Sequence, residues 1–304
     1  MIYDIIIIGA GPAGMTAAIY ALRAGRTALI IEKGSVGGQI TLTDTVENYP
    51  GLPGISGAEL AERIMSQVTA CGGETVPDEA TLIEQHDRCF TVKTALGAEF
   101  EGRAVIAATG AQPRRLGLNN EEALIGKGVS YCAVCDGRLF KDKTVAVNGG
   151  GNTALQEALY LSELCETVYL IHRRDEFRAD KSLVRAVRGR KNICPVMNSR
   201  ITGLHGEDRL SAVTVSDLSG WQEKITVDGL FVAIGQTPQS SLFAGLAKLD
   251  ENGYADCDES CVTRCGGLFV AGDCRRKEIR QLTTAVSDGT AAAVAAGKYL
   301  DSIK

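Results

Sequence analysis

One short segment constrains this chain more than any other. Ile5-Ile6-Ile7-Ile8 is a compact apolar run, and Gly9-Ala10-Gly11-Pro12-Ala13-Gly14 follows it without a break. The run reads as a buried strand over residues 2–8, and Met15 to Ala24 reads as a helix stopped by Gly25. Thr27 to Ile31 reads as the next strand, with Glu32 at its end, 23 residues after Gly9. Glycines at Gly9, Gly11 and Gly14, set between a strand and a helix with the acid in place, are the fingerprint of a dinucleotide-binding βαβ unit. They allow a tight turn and let the backbone meet a pyrophosphate at the helix N-terminus, while Glu32 is placed to accept hydrogen bonds from a ribose. The plain alternative is a glycine-rich turn without ligand, and the full context argues against it.

The pattern recurs 140 residues later. Lys143 to Val147 reads as a strand, Gly149-Gly150-Gly151-Asn152-Thr153-Ala154 as the turn, Leu155 to Leu164 as a helix and Thr167 to Ile171 as the next strand. Gly149, Gly151 and Ala154 take the fingerprint positions. Where the first unit has Glu32, this one has His172, followed by Arg173, Arg174 and then Arg178. A carboxylate suits a ribose 2′-hydroxyl and a guanidinium cluster suits a 2′-phosphate, so this site is expected to take NADPH rather than NADH. A solvated basic turn is the alternative. Two turns of opposite charge are expected to bind different dinucleotides, and a nicotinamide with a flavin makes a two-electron path. A strand over Gly267 to Ala271 that ends in Gly272-Asp273 fits a flavin, because Asp273 can meet a ribityl hydroxyl. Other apolar strands run over Arg103 to Ala108 and Gly229 to Ile234, and an Ala-rich helix from about Thr283 to Leu300 closes the chain.

Ten cysteines in 304 residues are too few for a disulfide scaffold, so most are expected to be reduced and buried. Cys132-Ala133-Val134-Cys135-Asp136 stands apart. A Cys-x-x-Cys pair can close a small disulfide and stabilise one thiolate, and Asp136 beside it can give or take a proton. Zinc would need two further ligands, and no second such pair exists; no metal is expected. Cys257, Cys261, Cys265 and Cys274 lack an iron–sulfur ligand spacing and read as small buried residues. A Ser-His-Asp hydrolase is excluded by the lack of a Gly-x-Ser-x-Gly elbow.

A net charge of −5 argues against nucleic acid as a partner. No run is long enough to span a membrane, and Asp4 rather than a basic segment precedes the isoleucines, so the chain reads as cytoplasmic. The fold class expected is α/β with two Rossmann-like domains, the second inserted into a discontinuous first: 1–113 with 243–304, and 114–242.

Taken with Gly37-Gly38-Gln39, Glu47-Asn48-Tyr49-Pro50-Gly51, Ala108-Thr109-Gly110, Cys132 to Gly137, His172 to Arg178 and Arg280-Gln281, the chain resembles the low-molecular-weight bacterial thioredoxin reductases over essentially its whole length. The resemblance implies that FAD binds through Glu32, Gln39, Asn48, Asp273, Arg280 and Gln281. It implies that NADPH binds the second turn with Arg173, Arg174 and Arg178. It further implies that Cys135 faces the flavin, that Cys132 attacks the disulfide of a protein partner, with thioredoxin the leading candidate, and that Asp136 is the acid–base group. The family works as a homodimer whose two domains rotate, since the Cys pair and the nicotinamide site lie in one domain and both must reach one flavin. Val134, Gln156 and Gly266 depart from the family's usual Thr, Glu and Pro, and the cysteines from 257 to 274 are not part of its pattern.

Relatives of this shape that draw electrons from ferredoxin lack the arginine cluster. Dithiol oxidases of the same fold pass electrons to oxygen. A non-catalytic flavin redox sensor is the reading from a different class, because fold alone does not fix function. Continuous NADPH consumption with a disulfide partner separates the reductase from the sensor.

Overall fold

The computed structural model describes residues 1–43, 45–87 and 89–303. The fold is α/β, and the chain divides into two compact units. A split unit takes Met1–Gln112 and Thr237–Lys304, and an inserted unit takes Pro113–Gln236. The second crossing thus falls six residues before the expected 242/243. Residues after Gln236 are bonded into the split unit: Gln239 N donates to Gly110 O (2.9 Å), Thr109 Oγ1 to Gln239 O (2.5 Å) and Ser240 Oγ to Gly253 O (2.6 Å).

In the split unit, β1 (Ile2–Ile8) pairs in parallel with β2 (Ala28–Glu32), itself paired with β3 (Glu74–Pro77), on one side and with β6 (Glu99–Ala107) on the other. Ile5, Ile6, Ile7 and Ile8 are all buried, as expected of a central parallel strand covered on both faces. Ile5 and Ile7 pack toward α1 (Pro12–Arg23) and the closing helix Leu282–Ser302, while Ile6 and Ile8 pack toward Phe90, Phe243 and Leu268. The helix α1 begins three residues before the expected Met15, because Gly11 is its N-cap and Pro12 opens its first turn.

β6 begins four residues before the expected Arg103, because its first half pairs antiparallel with β5 (Cys89–Thr94), which in turn pairs with β4 (Ala80–His86). Its second half pairs with Leu268–Val270, a strand that brings the Gly272-Asp273 turn beside the first glycine turn's sheet edge. Those two antiparallel strands had no expectation attached to them. The closing helix lies tight on α1: a Cβ on Gly289 would sit 2.2 Å from Ala13 O.

The inserted unit repeats the plan. Its parallel sheet runs Ile193–Val196, Thr167–Ile171, Thr144–Asn148, Gly229–Val232, Val129–Ser130. Val145 and Val147 face the helix Asn152–Ser162, and Ala146 faces a three-stranded antiparallel sheet, Ser199–His205, Ala212–Asp217 and Gln222–Thr226. The helix again starts before the expected residue, Leu155, because the turn's last glycine, Gly151, caps it. Asn148, an odd polar residue at a strand end, still pairs in register with Ile171 and Val232.

Candidate functional site

The first turn needs its glycines for steric reasons. Gly9 has φ +106°, and a Cβ there would lie 2.4 Å from Ala108 O. A Cβ on Gly14 would lie 1.9 Å from Gly9 O, so the helix could not approach the strand as it does. Around Gly11 there is open space, the room a pyrophosphate needs. Glu32 is locked in place: Oε2 accepts from Ala10 N (2.6 Å) and Oε1 from Gly34 N (2.8 Å). Each oxygen keeps a second lone pair for a ribose hydroxyl.

Of the other expected residues of this unit, Asn48, Asp273, Arg280 and Gln281 gather at the start of the closing helix, and Gln39 stands apart from them. Asn48 Nδ2 donates to Gln281 Oε1 (3.2 Å), and Gln281 is the N-cap, with its N–H donating to Thr284 Oγ1 (3.0 Å). Arg280 stacks over the Tyr254 ring at 4.1 Å and its Nε donates to Asp273 O (3.5 Å). Gln39 donates its side-chain N–H to Ala111 O. Asp273 Oδ1 is buried without a hydrogen-bond partner among the described residues, with only the Lys277 ammonium 3.5 Å away. Burial pushes its pKa up, against the pull of Lys277 and Arg280.

Behind Asp273 lies a cluster that sequence reasoning missed. Buried Asp288 accepts from Arg275 Nη2 (2.8 Å) and Nε (3.2 Å), from Lys277 Nζ (3.0 Å) and from Gly272 N (3.0 Å). Burial alone would raise the Asp288 pKa, but Arg275 and Lys277 outweigh it and hold the carboxyl low. The one charge in the first sixteen residues of the Ala-rich closing helix was the available signal.

The second turn has the same skeleton with different chemistry. Gly149 N donates to Ile171 O (3.0 Å), as Gly9 N does to Ile31 O (2.9 Å). A Cβ on Gly149 would meet Ala233 O at 2.4 Å and the Ala154 methyl at 2.7 Å. The bare first glycine therefore makes room for alanine at the third position. His172 is buried against Gly150, where an added Cβ would lie 2.2 Å from its ring. Burial lowers its pKa, and Nε2 lies 3.1 Å from Glu176 O, so the neutral ring carries its proton on Nε2. Arg173 and Arg178 are exposed and Arg174 half-buried; among the described residues no carboxylate is ion-paired to any of the three. Arg178 N donates to Gly150 O (2.7 Å), and Asn152 and Asp180 bond each other twice, Nδ2 to Oδ2 (3.0 Å) and backbone N to Oδ1 (2.9 Å). Those bonds fix the arginine loop to the turn, and Asn152 and Asp180 were not foreseen in that role.

Cys132 and Cys135 form a disulfide, Cα to Cα 5.3 Å, at the start of the short helix Ala133–Asp136. Ser130 organises the pair. Its Oγ donates to Asp136 Oδ2 (2.6 Å) and accepts from Cys132 N (3.1 Å). Sequence reasoning passed over Ser130 because serine two residues before a cysteine carries no signal of its own. The other eight cysteines are free. Burial pushes Cys165 up to about 11 and Cys257 and Cys261 up to about 12, so those thiols stay neutral. The glycine turn and the Cys pair share the inserted unit, and the helix Asn152–Ser162 belongs to both.

A family model described as pyridine nucleotide-disulphide oxidoreductase matches residues 3–289. A thioredoxin reductase of Treponema pallidum (strain Nichols) is 41% identical over 304 residues, covering 99% of this chain and 98% of that one. One of Bacillus subtilis (strain 168) is 39% identical, covering 100% of this chain and 96% of that one. The crystal structure of thioredoxin reductase from Streptococcus pyogenes MGAS5005 superposes with a TM-score of 0.93 at 38% identity, covering 99% of each chain. Two dinucleotide turns, a redox-capable Cys pair and this full-length similarity together make the chain a member of the pyridine nucleotide-disulphide oxidoreductase family, in its thioredoxin reductase branch.

Proposed function

We propose that this protein is an NADPH-dependent, FAD-containing thioredoxin-disulfide reductase. The observation that carries the reading is the Cys132–Cys135 disulfide, held in the same unit as an arginine-bearing nucleotide turn. The residues fit the implied cofactors. Among the described residues Asp273 Oδ1 is a buried acceptor without a hydrogen-bond donor, which a ribityl hydroxyl would supply, and Glu32 has lone pairs to spare for a ribose. The exposed guanidinium groups of Arg173 and Arg178, with half-buried Arg174 between them, suit the charge and geometry of a 2′-phosphate. When bound, FAD and NADPH supply a two-electron path to the disulfide.

The chain's own groups do the rest. Cys132 attacks the partner's disulfide as a thiolate, and Cys135 then closes the ring and frees the partner as a dithiol. Asp136, oriented by Ser130, moves the proton that this exchange requires. The partner is thioredoxin or a thioredoxin-like protein, and the assembly is a homodimer. Eight free cysteines suit a reducing, cytoplasmic compartment. No helix among the described residues is long and apolar enough to cross a membrane.

The test is an anaerobic titration of the purified protein with NADPH, followed by flavin absorbance, and then turnover with thioredoxin. Stoichiometric bleaching, with NADH far weaker, and continuous NADPH consumption support the reading. A flavin that stays oxidised overturns it in favour of a ferredoxin-linked or oxidase role. One reduction without turnover points to a sensor. The Cys pair and the arginine turn must both serve one flavin from the same inserted unit, so a crosslink that locks the two units should stop turnover while FAD stays bound.

A further inference from the structure

Glu157 is a carboxylate that the activity above does not use. It lies in the helix Asn152–Ser162, which packs on the short helix of the Cys pair. Oε1 sits 3.4 Å from Ala133 N, the peptide that joins Cys132 to the rest of that helix. Oε2 is buried and has no partner among the described residues. One oxygen is thus weakly held and the other not at all, which is costly for an ionised group. The ionisable groups on the elements packed against this helix are Asp136 and Arg138 beside the Cys pair, Tyr169 and Cys194 on the neighbouring strands, and Lys181, Arg185 and Arg188 on the next helix. None of them forms an ion pair with Glu157, and Tyr160 and Glu163 on its own helix form none either.

We propose that Glu157 is a proton-holding, positioning residue for the Cys132–Cys135 pair: it is ionised beside the disulfide and takes up a proton when the pair is reduced. This rests on the reading of the pair as the redox centre. The physical reason is that reduction places a thiolate charge close to a carboxylate that has no countercharge among the described residues, and two like charges in a poorly solvated site cannot both persist. Burial already lifts the Glu157 pKa to about 7 beside the disulfide, against a small pull from Ala133 N–H. With a dithiol as reductant, the S–S bond of the pair breaks and the S–S bond of the oxidised reductant forms. Two electrons and one proton convert the pair to one thiol and one thiolate, and the reductant's second proton goes to the Glu157 carboxylate.

The expected effect follows from linkage. E157Q is always neutral at this position, so it mimics the protonated form. At pH 8 its thiol–disulfide equilibrium with dithiothreitol should favour the reduced pair by about tenfold over the wild-type enzyme, and at pH 6 the two should agree. The measurement is thiol quantification of the FAD-loaded full chain in dithiothreitol redox buffers at both pH values. Equal ratios for E157Q and wild type at both pH values overturn the proposal while leaving the redox pair intact. A pair that no dithiol reduces overturns the redox-centre reading and this inference with it. If E157Q does not fold, infrared difference spectra of the wild-type protein decide. A protonated-carboxyl band that grows on reduction at pH 8 supports the proposal, and its absence overturns it.

Discussion

The two glycine turns share a skeleton and differ in how they hold charge. In the first, Ala10 N–H and Gly34 N–H grip the Glu32 carboxylate, and Gly37 N donates to Ala10 O (2.8 Å). In the second, Arg178 N makes the matching bond to Gly150 O (2.7 Å), but a neutral imidazole fills the place of the carboxylate. The first site presents a fixed acceptor to hydroxyls. The second offers guanidinium groups that, among the described residues, no carboxylate is ion-paired to, a charge suited to a phosphate. One backbone device thus carries opposite chemistry at the end of the second strand, and on the proposed reading the glycines would admit a dinucleotide while the terminal charge would select which one.

The third glycine position gives the sharpest way to break that comparison. Gly14→Ala places a methyl 1.9 Å from Gly9 O, so α1 must back away from β1. The expected cost is about 3 kcal/mol or more, with loss of bound FAD, measured by denaturant unfolding and flavin content. Retained FAD with unchanged stability would show that the two turns are more alike than their glycines suggest.

Next in size is Asp288→Asn, which tests the buried ion-pair cluster that stands behind the first turn. Removing the anion leaves buried Arg275 and Lys277 with only the longer contacts to Glu259 (3.7 Å) and Asp273 (3.5 Å), for an expected loss of about 3 kcal/mol. The sign with pH is fixed by the lowered Asp288 pKa. The stabilisation is fully present above the ordinary carboxylate range, about pH 4, and is lost as pH falls through the lower folded value. Acid unfolding of wild type should therefore begin below about pH 4 in this unit, and the variant should lose that pH dependence.

Exchanging the charge at the second turn should then change selectivity without loss of fold. Arg173→Ala with Arg178→Ala should raise KM for NADPH by about 10- to 100-fold and leave that for NADH nearly unchanged. Steady-state kinetics with both nucleotides read this directly, and an equal rise for both would mean that these side chains do not read the 2′-phosphate. The smallest effect belongs to Ala154→Gly. It copies the first turn's glycine into a helix that does not need it, so only helix propensity is lost, about 1 kcal/mol, with NADPH binding retained.

Much of this was legible in the sequence because the relevant physics is local. The Ile run, the glycine spacing and the charge at residues 32 and 172–178 fixed both turns, and the Cys-x-x-Cys spacing allowed the disulfide. Helix starts were misplaced by three residues because a glycine turn is also the helix cap, which periodicity of apolar residues does not register. The antiparallel strands Ala80–His86 and Cys89–Thr94 left weak patterns, since the first is largely exposed. The unit boundary was misplaced because it depends on where Gln239 and Ser240 find partners, at Gly110 and Gly253.

By itself the sequence determined which ligands the chain is built for: a backbone that only glycine can adopt and a charge of fixed sign are written residue by residue. The tertiary structure alone decided what stands behind those ligands. It brought Asp288 to Arg275 and Gly272, Ser130 to Asp136, and Glu157 to Ala133 across 24 residues of sequence. Such partnerships depend on how helices and turns pack, and the worth of a buried charge depends on which partners that packing supplies.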